Sequence, residues 1–214
     1  NPFSRCHPMD DASANAPFII RGITTKGTRF RPSDWADRLA GAFAVIDPNN
    51  RTNYSPYVQP KTLDGIRCVV LSSVGRSFSS GADLNWMRRV AGASQGENKR
   101  DAMALAALMR TLSELRKPTI ARVQGPAYGG GVGLIACCDV AVATVNATFA
   151  LTEAKLGLIP AVISPYVVAA IGAKAARRYF LTAEKIEAAD AWRLGLLHEL
   201  AQDEADLDEK VGQI

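Results

Sequence analysis

The sequence predicts an α/β fold on three observations. Short β-branched runs alternate with helical patterns from Ile66 to Leu151. The chain is 48% hydrophobic over 214 residues, enough for a substantial buried core, and glycine-bearing loops stand where strand gives way to helix. Taken in order, residues 1–17 are expected to be disordered. A strand follows at Phe18–Thr24, then a turn at Lys26 and Gly27 and a short strand at Thr28–Phe30. Ser33 is a good N-cap, and Trp35, Leu39 and Phe43 recur on one face of a helix that Asp47 and Pro48 end. Asn49–Pro60 reads as irregular. Residues 18–68 therefore form a small α+β segment, and residues 69–214 a second unit.

The run from Ile66 to Ser72 has the length and β-branched content of a buried strand, and it feeds a loop at Val74–Asp83. Leu105, Leu108, Met109, Leu112 and Leu115 line one face of a helix from about Glu97 to Arg116, stopped by Pro118. Thr119–Val123 is a strand and Gly129–Cys138 a helix opened by three glycines. Val140–Ala143 and Thr148–Leu151 are strands again, and consecutive alanine-rich helices run from Ile163 to Leu200.

Composition excludes several function classes. A net charge of +4, with its 25 basic residues scattered, argues against a nucleic-acid partner. The longest nearly apolar stretch, Gly129–Thr144, is shorter than the ~20 residues a bilayer requires and carries Asp139, so no membrane span is expected. Cys6, Cys68, Cys137 and Cys138 lack metal-site spacing, which suits a reducing cytoplasm; with only His7 and His198, histidine chemistry has little material. Carboxylates and backbone groups remain, and neither a metal nor a separate cofactor is expected.

Three segments carry the chemistry: FSSGADL at Phe78–Leu84, AYGGGVGL at Ala127–Leu134, and LTEAKLGLIPAVISP at Leu151–Pro165. Gly81 permits a tight backbone path that exposes the N–H of Ala82, and a glycine trio opening a helix does the same for Gly130 with the helix dipole behind it. Two such donors converging would cradle an oxygen that becomes anionic, and Glu153 would be the titratable group in reach. Plainer readings exist: glycines for close packing, a carboxylate at a helix start, Cys137 and Cys138 as small core residues. A sharper rival is a dinucleotide fingerprint, with Gly131, Gly133 and Ala136 as G-x-G-x-x-A and Glu153 twenty residues past Gly133. It is disfavoured because Gly125–Tyr128 separate the strand from the glycines.

In this order and spacing, the three segments resemble the crotonase (enoyl-CoA hydratase and isomerase) superfamily over about Val69–Leu200. The resemblance implies a crotonase-like spiral of ββα units, incomplete at both ends, with an α+β N-terminal segment. It implies that the N–H groups of Ala82 and Gly130 hold the thioester oxygen of an acyl-CoA and that Ser80, Asp83, Leu84 and Asn85 line the CoA moiety. Glu153 matches the family's second catalytic glutamate, and CoA enters as part of the substrate. SGADLNWM, AYGGGVGLIACCD and EAKLGLIPAVISPYVVAAIG, with AARRYFLTAE behind them, are most similar to bacterial methylglutaconyl-CoA hydratases of leucine breakdown.

Two departures accompany this likeness. The family's first catalytic glutamate falls on Gly133, which implies chemistry by a single acid, with isomerisation as the alternative to hydration. The family's R-P-x-x-x-N-A stretch is also missing: Arg31-Pro32 is present, but Ala36 and Asp37 stand where Asn and Ala belong. Up to about Val70 the chain instead resembles a small bacterial domain family of unknown function. The chain thus reads as a hybrid ending at Ile214 after an acidic segment. Trimers or hexamers are usual in the superfamily and are expected to be weakened here, and a non-catalytic hybrid that at most binds CoA thioesters is the alternative from another class.

Overall fold

The computed structural model describes residues 19–24, 66–73, 75–81 and 91–214, with side chains from Cys68 onward. The expected turn, strand and helix between residues 26 and 48 lie outside the described residues. Strand β1 (Ile19–Thr24) and β2 (Ile66–Ser72) pair antiparallel, Ile19 opposite Ser72 and Ile23 opposite Cys68. Strand β2 then runs parallel to β3 (Thr119–Val123), β3 to β5 (Val140–Thr144), and β5 to β8 (Glu199–Ala201), in the order β1-β2-β3-β5-β8. Each parallel step requires a crossover long enough to hold a helix, the physical content of the α/β expectation.

Strands β2, β3 and β5 bury nearly all of both faces, so they are apolar nearly throughout. Successive side chains point to opposite sides. Val69, Leu71, Ala121, Val123, Ala141 and Ala143 join the main core, while Val70, Ile120 and Val142 join a second cluster. Helix α1 (Gln95–Ser113) covers the main side with Met109 and Leu112, each 1% exposed. It begins two residues before the expected start because Ser94 caps it: the Ser94 side chain accepts from the N–H of Glu97, whose carboxylate accepts from the N–H of Ser94. Helix α2 (Gly130–Cys137) lies beneath α1 and is buried nearly all round.

The C-terminal half departs from the expected run of helices in two places. Helices α3 (Ser164–Ile171), α4 (Ala173–Thr182) and α5 (Ala188–Leu194) are present, but β7 (Ile186–Glu187) interrupts them, and β8 extends the sheet. Strand β7 joins β4 (Ala127–Tyr128) and β6 (Thr148–Ala150) in a small sheet ordered β4-β6-β7. The acidic C-terminal segment is a helix, α6 (Glu204–Gln213). Asp203 caps it by accepting from the N–H groups of Ala205 and Asp206, and Leu207 and Val211, one turn apart, bury against Val70, Ile120 and Val142. Arg122 of β3 ties that helix down, donating to Asp208 at 2.5 Å and to Glu204 at 3.2 Å.

Candidate active site

The small sheet places the site. Strands β4 and β6 run parallel, Ala127 opposite Phe149 and Tyr128 opposite Ala150, so the residues that follow each strand, Gly129 and Leu151-Thr152, emerge at the same end. Gly129 turns the chain from β4 into α2 at φ 54°, ψ −122°, a conformation that disfavours any side chain, and its N–H donates to the Ala150 carbonyl at 2.9 Å. Gly130 is the first residue of α2, where a helix has no intrahelical acceptor for the N–H. Among the described residues nothing lies within 4 Å of the position a Cβ would take there, so from their side the backbone can be approached closely.

On the β6 side the chain enters a 3₁₀ turn, Thr152–Leu156, closed by Gly157 in the left-handed conformation. Glu153 sits in its first turn with a carboxylate Oε1 3.4 Å from where a Gly129 Cβ would stand. Its other oxygen, Oε2, is buried and takes no hydrogen bond among the described residues. Burial raises the carboxyl's pKa above its ordinary value, opposed by a hydrogen bond from its own backbone. A carboxyl that holds its proton more readily than usual, with one oxygen unpartnered beside an open helix start, is equipped to give and take a proton.

The third segment reaches the same place. The Ser79 N–H donates to the Pro126 carbonyl at 3.1 Å, and the Tyr128 N–H donates to the Ser79 carbonyl at 3.0 Å, locking the loop alongside β4. Phe78, 1% exposed, anchors it. Gly81, at φ 90°, lies against Tyr128, with its Cβ position 3.7 Å from Tyr128 Cβ. Ser80 is exposed on this loop. Ala82, Asp83, Leu84 and Asn85 lie outside the described residues. Of the expected site, Gly130, Glu153 and the stem of the Ser80–Gly81 loop are therefore brought together.

The glycines of α2 serve packing rather than a dinucleotide. A Cβ on Gly131 would lie 2.7 Å from Ser79 Oγ and closer still to Ser79 Cβ. One on Gly133 would lie 2.7 Å from Ile163 Cβ and closer still to Ile163 Cγ2. Both glycines are inside the helix with side chains seated on them, which leaves no room for a pyrophosphate. His198 is structural, its Nδ1 accepting from the Ala141 N–H at 3.0 Å. Cys137 and Cys138 are free and buried, and burial pushes the Cys137 thiol up to about 12.

Two contributors escaped the sequence. Gln124 Nε2 donates to Ser73 Oγ at 2.8 Å and to the carbonyls of Gly75 and Ser77 at 3.0 and 3.2 Å, holding the loop that launches Phe78–Gly81. Ile163 is the other, 2% exposed and seated on Gly133. Neither residue type signals chemistry, and their roles follow only from contacts across the fold. Among the described residues no group of three His, Cys, Asp or Glu is arranged to hold a metal ion, and no helix is long and apolar enough to cross a membrane.

A family model described as enoyl-CoA hydratase/isomerase matches residues 61–213, and one described as a protein of unknown function (DUF3579) matches residues 14–82. The two overlap over residues 61–82, which include β2. A Thermus thermophilus protein named as an enoyl-CoA hydratase is 37% identical over 181 residues, 79% of this chain and 72% of that protein. Among solved structures, an enoyl-CoA hydratase/isomerase (crotonase) from Legionella pneumophila superposes with a TM-score of 0.71 at 43% identity, over 75% of this chain and 63% of that one. An enoyl-CoA hydratase from Shewanella pealeana does so with a TM-score of 0.67 at 49% identity, over 69% and 55%. The chain thus spans from about half to nearly three quarters of the length of these relatives.

Proposed function

The chain belongs to the enoyl-CoA hydratase/isomerase family, and from that premise we propose that it adds water across the double bond of an α,β-unsaturated acyl-CoA thioester, with methylglutaconyl-CoA as its substrate. The observation that carries this reading is the pairing of the Gly130 backbone with the half-buried Glu153 carboxyl, whose Oε2 is buried, at one end of the small sheet.

In this reading the thioester oxygen accepts from the N–H of Gly130 and from that of Ala82 beyond Gly81, while Ser80, Asp83, Leu84 and Asn85 line the CoA moiety. As the oxygen of a water molecule bonds to the β-carbon, Glu153 takes a water proton and the double-bond electrons move through the α-carbon onto the thioester oxygen. The two N–H donors hold that charge where it develops. Glu153 then returns its proton to the α-carbon, and water has been added with the carboxyl regenerated. CoA arrives with the substrate, and the steps as written use no further cofactor. The preference for a carboxylated, branched acyl chain rests on the SGADLNWM and IPAVISPYVVAAIG wording rather than on a contact. A single carboxyl also suits moving a double bond, because one group can carry a proton between two carbons. The seat of Ile163 on Gly133, which leaves Glu153 without an acidic neighbour from α2, is what favours keeping isomerisation as the second reading.

The test incubates the full chain with crotonyl-CoA and with methylglutaconyl-CoA and follows loss of the conjugated thioester absorbance. Faster turnover of the latter, with solvent oxygen in the product, is expected. Product without solvent oxygen would establish isomerisation, and a folded chain that changes neither substrate would leave a non-catalytic thioester binder.

A further inference from the structure

Glu153 and Ile163 approach the same helix one turn apart. The Glu153 carboxylate lies over Gly129 and Ile163 over Gly133, four residues or about 6 Å along the axis. Ile163 is held firmly there. It precedes α3, its carbonyl accepts from the Val167 N–H at 3.1 Å, and its side chain is 2% exposed and packed into the main core. Its Cβ and Cγ2 occupy the volume that any side chain at position 133 would need, with Met109 Cε closing the far side at 3.4 Å.

We infer that Ile163 is a positioning residue for Glu153: wedged over Gly133, it forms the apolar wall beside that carboxyl and bars α2 from presenting a second polar group to it. Gly133 and Ile163 are then one unit, the first glycine because the second is large. The inference rests on the proposed role of Glu153 as the proton-transfer group. Titratable groups on the packed elements are Lys155 in its own turn, Tyr128 before α2, Cys137 at its far end, Tyr166 on α3, and Lys174, Arg177, Arg178 and Tyr179 on α4. None of them contributes to the raised pKa of Glu153, which burial drives. An apolar wall acts through burial.

The experiment reads Glu153 directly by ¹³C NMR of carboxyl-labelled glutamate, with the resonance assigned by its loss in Glu153→Gln. Ile163→Val and Ile163→Thr have the same shape and differ in polarity. The Glu153 midpoint is expected to stay with Val and to fall toward the ordinary carboxylate value with Thr. Equal midpoints in the two variants overturn the inference. Thermal melts add the packing arm: Gly133→Ala should lower the melting temperature markedly in the parent and far less in an Ile163→Ala background, and an equal loss in both overturns the wedge. Should Ile163→Ala fail to fold, the Val and Thr pair decides alone. Neither readout needs turnover, so a chain inert toward enoyl-CoA that still shows both effects would sink the proposed activity and uphold the role of Ile163.

Discussion

Replacing Glu153 with glutamine separates what this side chain does for the reaction from what it costs the fold. The substitution keeps shape and a hydrogen-bonding amide and removes the exchangeable proton. Among the described residues no other carboxyl lies against Gly129 or Gly130, so none of them stands ready to substitute. Loss of general acid/base catalysis is worth about 10²- to 10⁴-fold, or about 2.7 to 5.4 kcal/mol of barrier. With no second acid the fall should lie in the upper part of that range. KM should barely move, because the Gly130 donor remains. Stability should change the other way. Burial raises the folded pKa above the unfolded one, so the neutral carboxyl's contribution is present in full below the unfolded value of about 4.3 and is lost as pH rises through the folded value. Above the folded value the ionised group is therefore a liability that glutamine lacks. Glu153→Gln should melt at or above the parent temperature at pH 7, with the difference shrinking below about pH 4. Initial rates on an enoyl-CoA and melting curves at the two pH values give both numbers. Parental turnover in Glu153→Gln would refute the single-acid reasoning, and a variant less stable at pH 7 than at pH 4, relative to parent, would refute the burial argument.

Gly130→Val should fold normally, since among the described residues nothing lies within 4 Å of its Cβ position, yet lose about 10²- to 10³-fold in rate as the branched side chain blocks the thioester's approach to the N–H; circular dichroism beside turnover checks this. Arg122→Ala should destabilise by about 1.5 to 3 kcal/mol, measured by urea unfolding, because its charged hydrogen bonds tie α6 to β3, and enzymatic competence should survive in the folded fraction. Cys137 and Cys138 should resist a thiol reagent at pH 8 in the native state and react on unfolding, since burial holds both thiols protonated.

Much of the architecture is written locally. The β-branched run Ile66–Ser72, the helix stopped before Pro118 and the strand at Thr119–Val123 are recorded in periodicity and in residues that end elements, and the structure has each within two or three residues. The acidic segment after Gln202 was less legible. Its helix is carried by two apolar residues, Leu207 and Val211, whose value appears only when Val70, Ile120 and Val142 turn the far side of the sheet toward them. The short strands β7 and β8 were hidden for the same reason, as two or three residues become strand only when β6 and β5 offer edges.

The candidate site divides along the same line. Gly130 and Glu153 stand out in the sequence because a glycine trio at a helix start and a carboxylate after a strand are chemically unusual in themselves, and the motif order points to the family. What joins them is the parallel pairing of β4 with β6, which sequence spacing cannot state. The work of Gln124 and the seat of Ile163 over Gly133 were settled by tertiary structure alone. An amide's partners and the volume above a glycine belong to segments tens of residues apart, and close packing sets them only once the chain has folded.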